Sequence, residues 1–409
     1  MISPAPQALA AADTIADRLA DPTLVYRAGM GRHRPQSLAG GAAGIALLHI
    51  ERARCGHGDP AVAHRWLSAA ARDGLSVGHN AGLYFGAPTL AFITNAAADQ
   101  PGKYARALGE LDTNVTALTR SRVHAAHARI DRGERPLLAE FDLIRGLAGL
   151  GSHHLHRHPD HEITRTVLDY LVRLTTPPGR SDELPGWWTD VSPNGVSSPD
   201  FPGGHANTGM SHGITAVLAL LSLALRHGVV VDGHTEAIGR INAWLDAWRQ
   251  HDDAGSWWPG YLTHAQARAG QVDRPNRQRP SWCYGTPGVA RAQQLAGLAT
   301  GDLPRQRDAA TAMLGCLRDT AQLDRLTDSG LCHGVAGVLQ TAWRMAADHT
   351  DPDLAAELPA LTDRLLAHVD TAPDDPEFLD GQAGIALALH TAGTATAPVT
   401  TWDACLLLA

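Results

Sequence analysis

Seven glycine-bounded turns recur along this chain, and each leads into a short apolar run. Five have the form Gly-x-x-Gly and two are degenerate copies. Successive turns lie 45 to 72 residues apart, which leaves room for two helices in each repeat. The spacing therefore predicts a repeated pair of helices. The first residues of the seven turns are Gly41, Gly86, Gly146, Gly213, Gly285, Gly334 and Gly381.

The runs that follow the turns differ in pattern from the segments between them. Residues 44–48 and 385–389 are apolar nearly all round, which is typical of a helix covered on both sides. Ile163, Val167 and Leu171 instead repeat with a helical period and have charged residues on the opposite face. The sequence therefore predicts seven inner helices that start at the turns and seven outer helices between them.

The first and last repeats carry the same apolar inner helix as the middle ones. An open helical array needs polar capping repeats at its ends, so we expect these two helices to bury that face against each other. This predicts an all-α fold, an α/α toroid of seven inner and seven outer helices. We expect one domain over residues 1–409, with longer loops at about 175–207 and 251–280. Pro359 is expected near the start of its helix, where proline is best tolerated.

Charge and cysteine content exclude several classes of protein. The formal net charge of -8 does not fit a nucleic-acid partner, whose binding face would be basic. Five scattered cysteines do not resemble a disulfide framework. The chain starts without a secretory signal, and its longest apolar run, 214–225, is too short to span a bilayer. We therefore expect a cytoplasmic protein, with any membrane attachment made through partner proteins.

Two of the turns carry candidate metal ligands. Cys283 stands before Gly285, and Cys332 and His333 stand directly before Gly334. Two thiols and one imidazole suit Zn²⁺, and three protein ligands leave a fourth position open to water or a substrate thiolate. The alternative is that both cysteines are small core residues, the usual fate of a free cysteine. The remaining cysteines lack such neighbours and are expected to be core or surface thiols; they are Cys55, Cys316 and Cys405.

Four further residues near the turns are candidate catalytic groups. His212 precedes Gly213 and is suited to proton transfer near neutral pH, although a core histidine is the usual alternative. Asp142 either orients His212 or caps a helix. Tyr284 and Arg279 flank Cys283 and would supply hydrogen bonds to a developing enolate or to substrate backbone, with a structural role equally open.

The sequence contains two other groups of polar or aromatic residues that could serve a function. A histidine run after the third turn is not expected to bind metal, because adjacent positions on a helix face apart, and a solvated helix end explains the run. Four tryptophans are expected either to line a pocket or to anchor surface loops. The histidines are His153, His154, His156 and His158, and the tryptophans are Trp187, Trp188, Trp257 and Trp258.

These motifs together resemble the lanthionine synthetase C-like family, the cyclases of lanthipeptide biosynthesis, over nearly the whole chain. The resemblance implies an α/α toroid and one catalytic zinc held by Cys283, Cys332 and His333. It also implies active-site roles for four residues, Asp142, His212, Arg279 and Tyr284. The segments that carry it are 281–288, 331–334, 211–213 and the Gly-x-x-Gly copies from Gly41 to Gly384.

The resemblance implies a specific reaction. A peptide cysteine thiol, deprotonated at zinc, adds to the β-carbon of a dehydroalanine or dehydrobutyrine in the same peptide, and His212 protonates the resulting enolate. The product is a lanthionine or methyllanthionine thioether ring. The expected partners are a dehydrated precursor peptide with its leader and core, a separate dehydratase because no dehydratase-like region precedes Gly41, and a transporter in the same complex.

Two other functions remain open from the residues alone. A non-catalytic, zinc-containing module that binds a modified peptide would use a fourth protein ligand in place of the open position. An α/α-barrel glycosidase would need two paired carboxylates, for which Asp142, Asp190 and Asp380 are candidates. That second function would leave both cysteine motifs without a role.

Overall fold

A computed structural model describes residues 2–27, 35–177, 184–272, 277–348, 352–369 and 375–409. The described residues are mostly helical and form two compact units. Unit 1 comprises Met1–Val115, Thr320–Cys405 and Ala409, and unit 2 comprises Thr116–Asp319 and Leu406–Leu408. The single domain expected over residues 1–409 stays a prediction.

The helices and strands of the described part of the chain have the following bounds. The α-helices are α1 (Pro6–Arg18), α2 (Pro22–Arg27), α3 (Ala42–Arg54), α4 (Pro60–Ala70), α5 (Ala87–Ala97), α6 (Ala105–Asp131), α7 (Leu138–Phe141), α8 (Leu147–Arg157), α9 (Glu162–Leu174), α10 (Ile214–Arg226), α11 (His234–Ala247), α12 (His264–Ala269), α13 (Thr286–Thr300), α14 (Leu303–Arg318), α15 (Thr320–Leu323), α16 (Val335–Asp348), α17 (Pro352–Val369) and α18 (Gln382–Thr394). The strands are β1 (His205–Asn207), β2 (Gln250–Asp252), β3 (Gly255–Trp257) and β4 (Tyr261–Thr263). A 3-10 helix covers Trp402–Leu406.

The predicted inner helices all begin directly after the first glycine of a turn. They are α3, α5, α8, α10, α13, α16 and α18. In α10 every residue from Ile214 to Ala224 is buried. The sequence pattern therefore predicted both the starts of these helices and their burial on all sides.

In unit 1 the first and last of these inner helices are neighbours. Helix α18 packs against α3 and α16, and the amphipathic helices α1, α4 and α17 pack on α18, α3 and α16 respectively. The amides of Phe378 and Leu379 both donate to the carbonyl of Ala39, at 2.9 and 3.1 Å. The expectation that the first and last repeats cover each other is confirmed.

Unit 2 repeats the same arrangement of a turn, an inner helix and an outer helix. Helix α10 packs against α8 and α13, while α9, α11 and α14 pack on α8, α10 and α13. The apolar face of α9 contains Ile163, Val167 and Leu171, all buried as predicted. The interval 251–280, expected as a loop, contains β3 paired antiparallel with β2, and β4 paired antiparallel with β1.

The second glycine of the Gly-x-x-Gly motif allows the helix to pack on its own turn. A Cβ atom at Gly44, Gly288 or Gly384 would lie 2.3, 2.2 or 1.9 Å from the carbonyl oxygen of the residue six positions earlier. Real Cβ atoms do not approach an oxygen that closely, so a side chain would push the helix off the turn. Close approach explains why the motif has a second glycine.

Pro359 departs from its expected position. It lies inside α17, which begins at Pro352 rather than near Pro359. An interior proline costs about 3 kcal/mol because it removes one helical hydrogen bond and crowds the preceding turn. The helix nevertheless continues, since Leu358, Leu361 and Leu365 on its inner face are buried.

The longest helix carries charged residues along its length. Helix α6 has 27 residues and includes the Arg106–Glu110 ion pair. A transmembrane helix needs about 20 predominantly apolar residues. Within the described ranges, no helix combines the length and the apolarity required to cross a membrane.

Candidate active site

Backbone hydrogen bonds join neighbouring turns within unit 2. The amide of Leu143 donates to the carbonyl of Ser211 at 3.2 Å, and the amide of Met210 donates to the carbonyl of Cys283 at 2.9 Å. The third, fourth and fifth turns therefore lie side by side. This arrangement brings the residues that precede α8, α10 and α13 to one edge of the unit.

Asp142 and His212 form a close pair on two of these turns. Oδ2 of Asp142 lies 2.6 Å from Nδ1 of His212; the Asp142 side chain is fully buried, while 32% of the His212 side chain is exposed. Oδ1 of Asp142 accepts hydrogen bonds from the amides of Arg145 and Gly146, at 2.7 and 2.8 Å. Because a carboxylate only accepts, Nδ1 of His212 carries the proton of this bond, and Nε2 is the nitrogen left for proton transfer.

Tyr284 lies in the same part of unit 2, hydrogen-bonded to the fourth turn. Its hydroxyl accepts a hydrogen bond from Nδ2 of Asn207 at 3.0 Å and also bonds the Ser211 side chain. Burial raises the pKa of Tyr284 to about 12, so the phenol is neutral at pH 7 and keeps its proton for donation. A Cβ atom at Gly209 would lie 2.5 Å from the tyrosine ring, which explains the small residue there.

Cys283 is buried, and the two side chains that precede it in the chain both make polar contacts. Its Sγ lies 3.6 Å from Oγ of Ser281, and the indole of Trp282 donates to the carbonyl of Leu406 at 3.0 Å. Gly285 has a φ of 116°, a conformation that glycine adopts readily and other residues avoid. Arg279 stands at the start of this segment and is partly buried.

In unit 1, Cys332 and His333 lie on the sixth turn. The amide of Cys332 donates to the carbonyl of Leu379 at 2.9 Å, which ties this turn to the seventh. Nε2 of His333 lies 3.5 Å from Oδ2 of Asp328, and Nδ1 lies 3.5 Å from Oδ1 of Asp380. The imidazole is therefore flanked by two carboxylates.

The donor chemistry of these residues fits zinc. Cys283 and Cys332 supply thiols, and His333 supplies a borderline nitrogen ligand. Metal-binding histidines commonly direct their second ring nitrogen to a carboxylate, and Asp328 or Asp380 can fill that role for His333. The binding of one zinc by these three residues stays a prediction.

The four tryptophans are buried and anchor the segments that contain them. Trp187, Trp188, Trp257 and Trp258 are each at most 6% exposed. The indole nitrogens of Trp188 and Trp258 donate to the carbonyls of Gly203 and Leu245. Of the two expected roles, loop anchoring is the one that this burial supports.

The solvated histidine run was a wrong interpretation for two of its members. His153 and His154 are each 1% exposed, because this part of α8 is covered by protein rather than by water. The Nε2 atom of His154 lies 2.9 Å from Oγ1 of Thr119. Neither ring nitrogen of His153 has a hydrogen-bond partner among the described residues.

Other residues of this site were not singled out from the sequence. Asn207, Ser211 and Arg145 surround the predicted catalytic groups, with Nε of Arg145 3.8 Å from the Asp142 carboxylate. Their signal was proximity to a turn, which many unrelated residues share. Asp328 and Asp380 precede the sixth and seventh turns in the same way.

The carboxylates proposed for a glycosidase do not form the required kind of site. Asp142 is fully buried and both of its oxygens are hydrogen-bonded, while Asp190 is exposed on the surface of unit 2. Asp380 instead lies against His333. A two-carboxylate mechanism needs an acid and a base that both reach the scissile bond. The buried, bonded state of Asp142 does not favour that function.

The sequence of this chain is similar to known proteins over most of its length. The family model for "Lanthionine synthetase C-like protein" matches residues 33–407. The chain is 22% identical over 264 residues to "Nisin biosynthesis protein NisC" of Lactococcus lactis subsp. lactis, an alignment that covers 63% of this chain and 60% of that protein. The chain thus spans about three fifths of the length of this curated relative.

A solved structure shares the fold. "Nisin cyclase" matches with a TM-score of 0.79 at 19% identity, and the match covers 96% of each chain. The predicted fold class, an all-α α/α toroid, is confirmed by this match. Because the family model extends from residue 33 to residue 407, the chain belongs to the lanthionine synthetase C-like family.

Proposed function

We propose that this protein is a zinc-dependent lanthipeptide cyclase that adds peptide cysteine thiols to dehydroalanine or dehydrobutyrine. Membership of the lanthionine synthetase C-like family supports the reaction class. The structural observation that carries the proposal is the 2.6 Å contact between the Asp142 carboxylate and Nδ1 of His212. A partly exposed histidine held in this way is suited to proton transfer.

The proposed zinc ligands are Cys283, Cys332 and His333. When bound, the metal would make the substrate sulfur a thiolate at neutral pH and so a good nucleophile. Three protein ligands leave one position for that sulfur. A closed site with four protein ligands would instead indicate a binding module.

The addition balances without an oxidant or a reductant. The substrate thiol loses its proton, a bond forms between sulfur and the β-carbon, and the π electrons of the alkene move into an enolate. Protonated His212 then gives its Nε2 proton to the α-carbon and takes up the proton that the thiol released. Asp142 stabilises the imidazolium through Nδ1.

Tyr284 and Arg279 are proposed to bind substrate carbonyl groups. Tyr284 remains a neutral hydrogen-bond donor because burial raises its pKa to about 12. Arg279 would contribute a positive charge near a developing enolate. These two roles in substrate binding are additional to proton transfer by the Asp142–His212 pair.

The chemistry also implies partners. The substrate must contain dehydrated serine or threonine residues, which this reaction does not make, so a dehydratase has to act first on the same precursor peptide. A leader on that peptide, a transporter in the same complex and a cytoplasmic location stay predictions. Copurification of a dehydratase with the full chain would test the dehydratase as a partner.

The central experiment uses a dehydrated, cysteine-containing peptide. Cyclisation is followed as the loss of alkylatable thiol at unchanged peptide mass. We expect Cys332→Ala to lose one equivalent of zinc together with activity, and His212→Asn to keep the wild-type zinc content while activity falls. Cys316→Ala, which changes a buried cysteine in α14, is the matched control and keeps both.

Two results would contradict the proposal. A His212→Asn protein that cyclises the peptide at the wild-type rate would remove His212 from the reaction. Unchanged zinc content in Cys332→Ala would remove this cysteine from the metal site.

A further inference from the structure

A second group of metal-ligand side chains lies in unit 1, away from the glycine turns. Glu51 and Cys55 are one helical turn apart at the carboxyl-terminal end of α3, so they share a face. His390 lies on α18, which packs against α3. One ligand atom from each of the three residues lies within 4.8 Å of the other two.

The distances are close to those of a transition-metal site. Sγ of Cys55 lies 3.3 Å from Oε1 of Glu51. Neighbouring sulfur and oxygen ligands of a tetrahedral zinc stand about 3.5 Å apart, given the usual bond lengths. Little movement of these two side chains would therefore be needed to place an ion between them.

The His390 ring supplies an independent indication of a ligand. This residue is only 2% exposed, and its Nε2 atom has no hydrogen-bond partner among the described residues. A buried polar atom without a partner is costly in an apolar core. An imidazole nitrogen is a common metal ligand, so a bound ion would supply the missing partner.

The Glu51 carboxylate is fixed by the chain that follows α18. Oε1 accepts a hydrogen bond from the amide of Val399, and Oε2 accepts one from the amide of Thr400, both at 2.9 Å. Metal-binding carboxylates are commonly oriented by such bonds. The neighbouring Arg52 adds little uncompensated positive charge, because its guanidinium lies 2.6 Å from the Asp13 carboxylate.

We propose that Glu51, Cys55 and His390 bind a second divalent transition-metal ion, with Zn²⁺ as the preferred ion. The metal displaces the proton of the Cys55 thiol, which is released to solvent, and the thiolate, the imidazole and the carboxylate then bind it. His57, whose ring centroid lies 5.4 Å from that of His390, is a candidate for the fourth position. The ion links the first and last inner helices of unit 1 and has a structural role.

The test removes the proposed catalytic site before it measures the second one. Full-length protein carrying Cys283→Ser and Cys332→Ser is stripped with a chelator and titrated with Co²⁺. We expect one equivalent to bind, with a sulfur-to-cobalt charge-transfer band. Adding Cys55→Ser or His390→Gln should abolish both, whereas adding Cys316→Ser should change neither.

Either of two outcomes overturns the proposal: no Co²⁺ binding by the doubly substituted protein while it is folded by circular dichroism, or binding that survives Cys55→Ser. Because this background lacks Cys283 and Cys332, the result does not depend on whether the proposed cyclase function is correct.

A second measurement needs no substitution and therefore no refolding control. Wild-type protein is alkylated with N-ethylmaleimide with and without Zn²⁺, and the rate of modification at Cys55 is followed by peptide mass spectrometry. We expect Zn²⁺ to slow modification at Cys55 and to leave the rate at Cys316 unchanged. Equal rates at Cys55 under both conditions would contradict the proposal.

Discussion

Asp142 uses its two carboxylate oxygens for different partners. Oδ1 accepts two amide hydrogen bonds in the turn before α8, and Oδ2 bonds His212. The helix-capping and histidine-orienting roles that the sequence left as alternatives are therefore compatible in one residue. The amides of the turn orient the Asp142 carboxylate, and the carboxylate orients the His212 ring.

Replacing Asp142 separates these two roles. In Asp142→Asn the side-chain oxygen can still accept from the turn amides, but the amide group facing His212 cannot accept its Nδ1 proton. We expect cyclisation to fall by roughly 10²–10⁴-fold, since a mispositioned acid or base loses this much. Single-turnover rates with the dehydrated peptide provide the measurement.

The exposed Asp190 offers a matched control in the same unit. Asp190→Asn should leave the rate unchanged. A similar loss in both variants would show that the effect of Asp142→Asn is not specific to the pair.

His153 is expected to make the protein sensitive to acid. Burial lowers the pKa of His153 to about 3, whereas in the unfolded chain it takes up a proton as pH falls below about 6.5. The free energy of unfolding is therefore unaffected by this residue above pH 6.5 and falls progressively toward pH 3. The loss is about 2 kcal/mol by pH 5. We expect His153→Leu to lose that much less stability between pH 7 and pH 5 in urea titrations.

The exposed His124 on α6 supplies the control for this measurement. His124→Leu should retain the full wild-type pH dependence. Equal losses of stability between pH 7 and pH 5 in His153→Leu and the wild type would contradict the prediction. They would show that His153 takes up a proton in the folded protein as well.

Each inner helix packs directly on the turn that precedes it, because the second glycine of the motif allows close contact. The contact between α13 and the carbonyl of Trp282 has no room for a side chain at Gly288. The same turn carries Cys283, so the fit of the helix on the turn also sets the position of a predicted ligand. The packing therefore connects stability to the candidate site.

Gly288→Ala should destabilise the protein by about 1–3 kcal/mol, the usual cost of overpacking, because the new Cβ would lie 2.2 Å from the Trp282 oxygen. Urea denaturation measures this loss. Gly239→Ala, on α11 with open space around it, should gain about 0.5–1 kcal/mol from helix propensity. A gain in both variants would exclude a tight contact at Gly288.

In unit 1 the last repeat of the chain packs against the first. Phe378 is fully buried beside the first turn, where its ring meets Trp402 edge-on at 5.9 Å between centroids. The amide of Phe378 donates to Ala39. The join between the last and first repeats therefore rests on both backbone hydrogen bonds and an aromatic core.

Phe378→Ala should lower the free energy of unfolding by about 3–5 kcal/mol, because the ring leaves a cavity in a well-packed site. Leu24→Ala, at a residue that is 61% exposed, should change stability by less than about 0.5 kcal/mol. Chemical denaturation of both variants provides the comparison. A loss below 1 kcal/mol for Phe378→Ala would show that the join tolerates the cavity.

The inner helices and their order along the chain could be predicted from the amino-acid sequence alone. The placement of glycines predicted where the seven inner helices begin, and the period of apolar residues predicted the buried face of α9. Both are properties of residues that are close together in sequence. The fold class and the motifs at Cys283 and Cys332 followed in the same way. The sequence pattern did not predict the part of α17 that precedes Pro359. Burial of the helix's leucines outweighed the local preference of proline.

Contacts between side chains that are far apart in sequence depend on the tertiary fold and could not be predicted from the sequence. The contact of Asp142 with His212 spans 70 positions in sequence, and the grouping of Glu51 and Cys55 with His390 depends on α18 packing against α3. The burial of His153 was likewise invisible in its own segment. Periodicity reports which face of a helix is covered, but the partner that covers it is set by the packing of the whole chain.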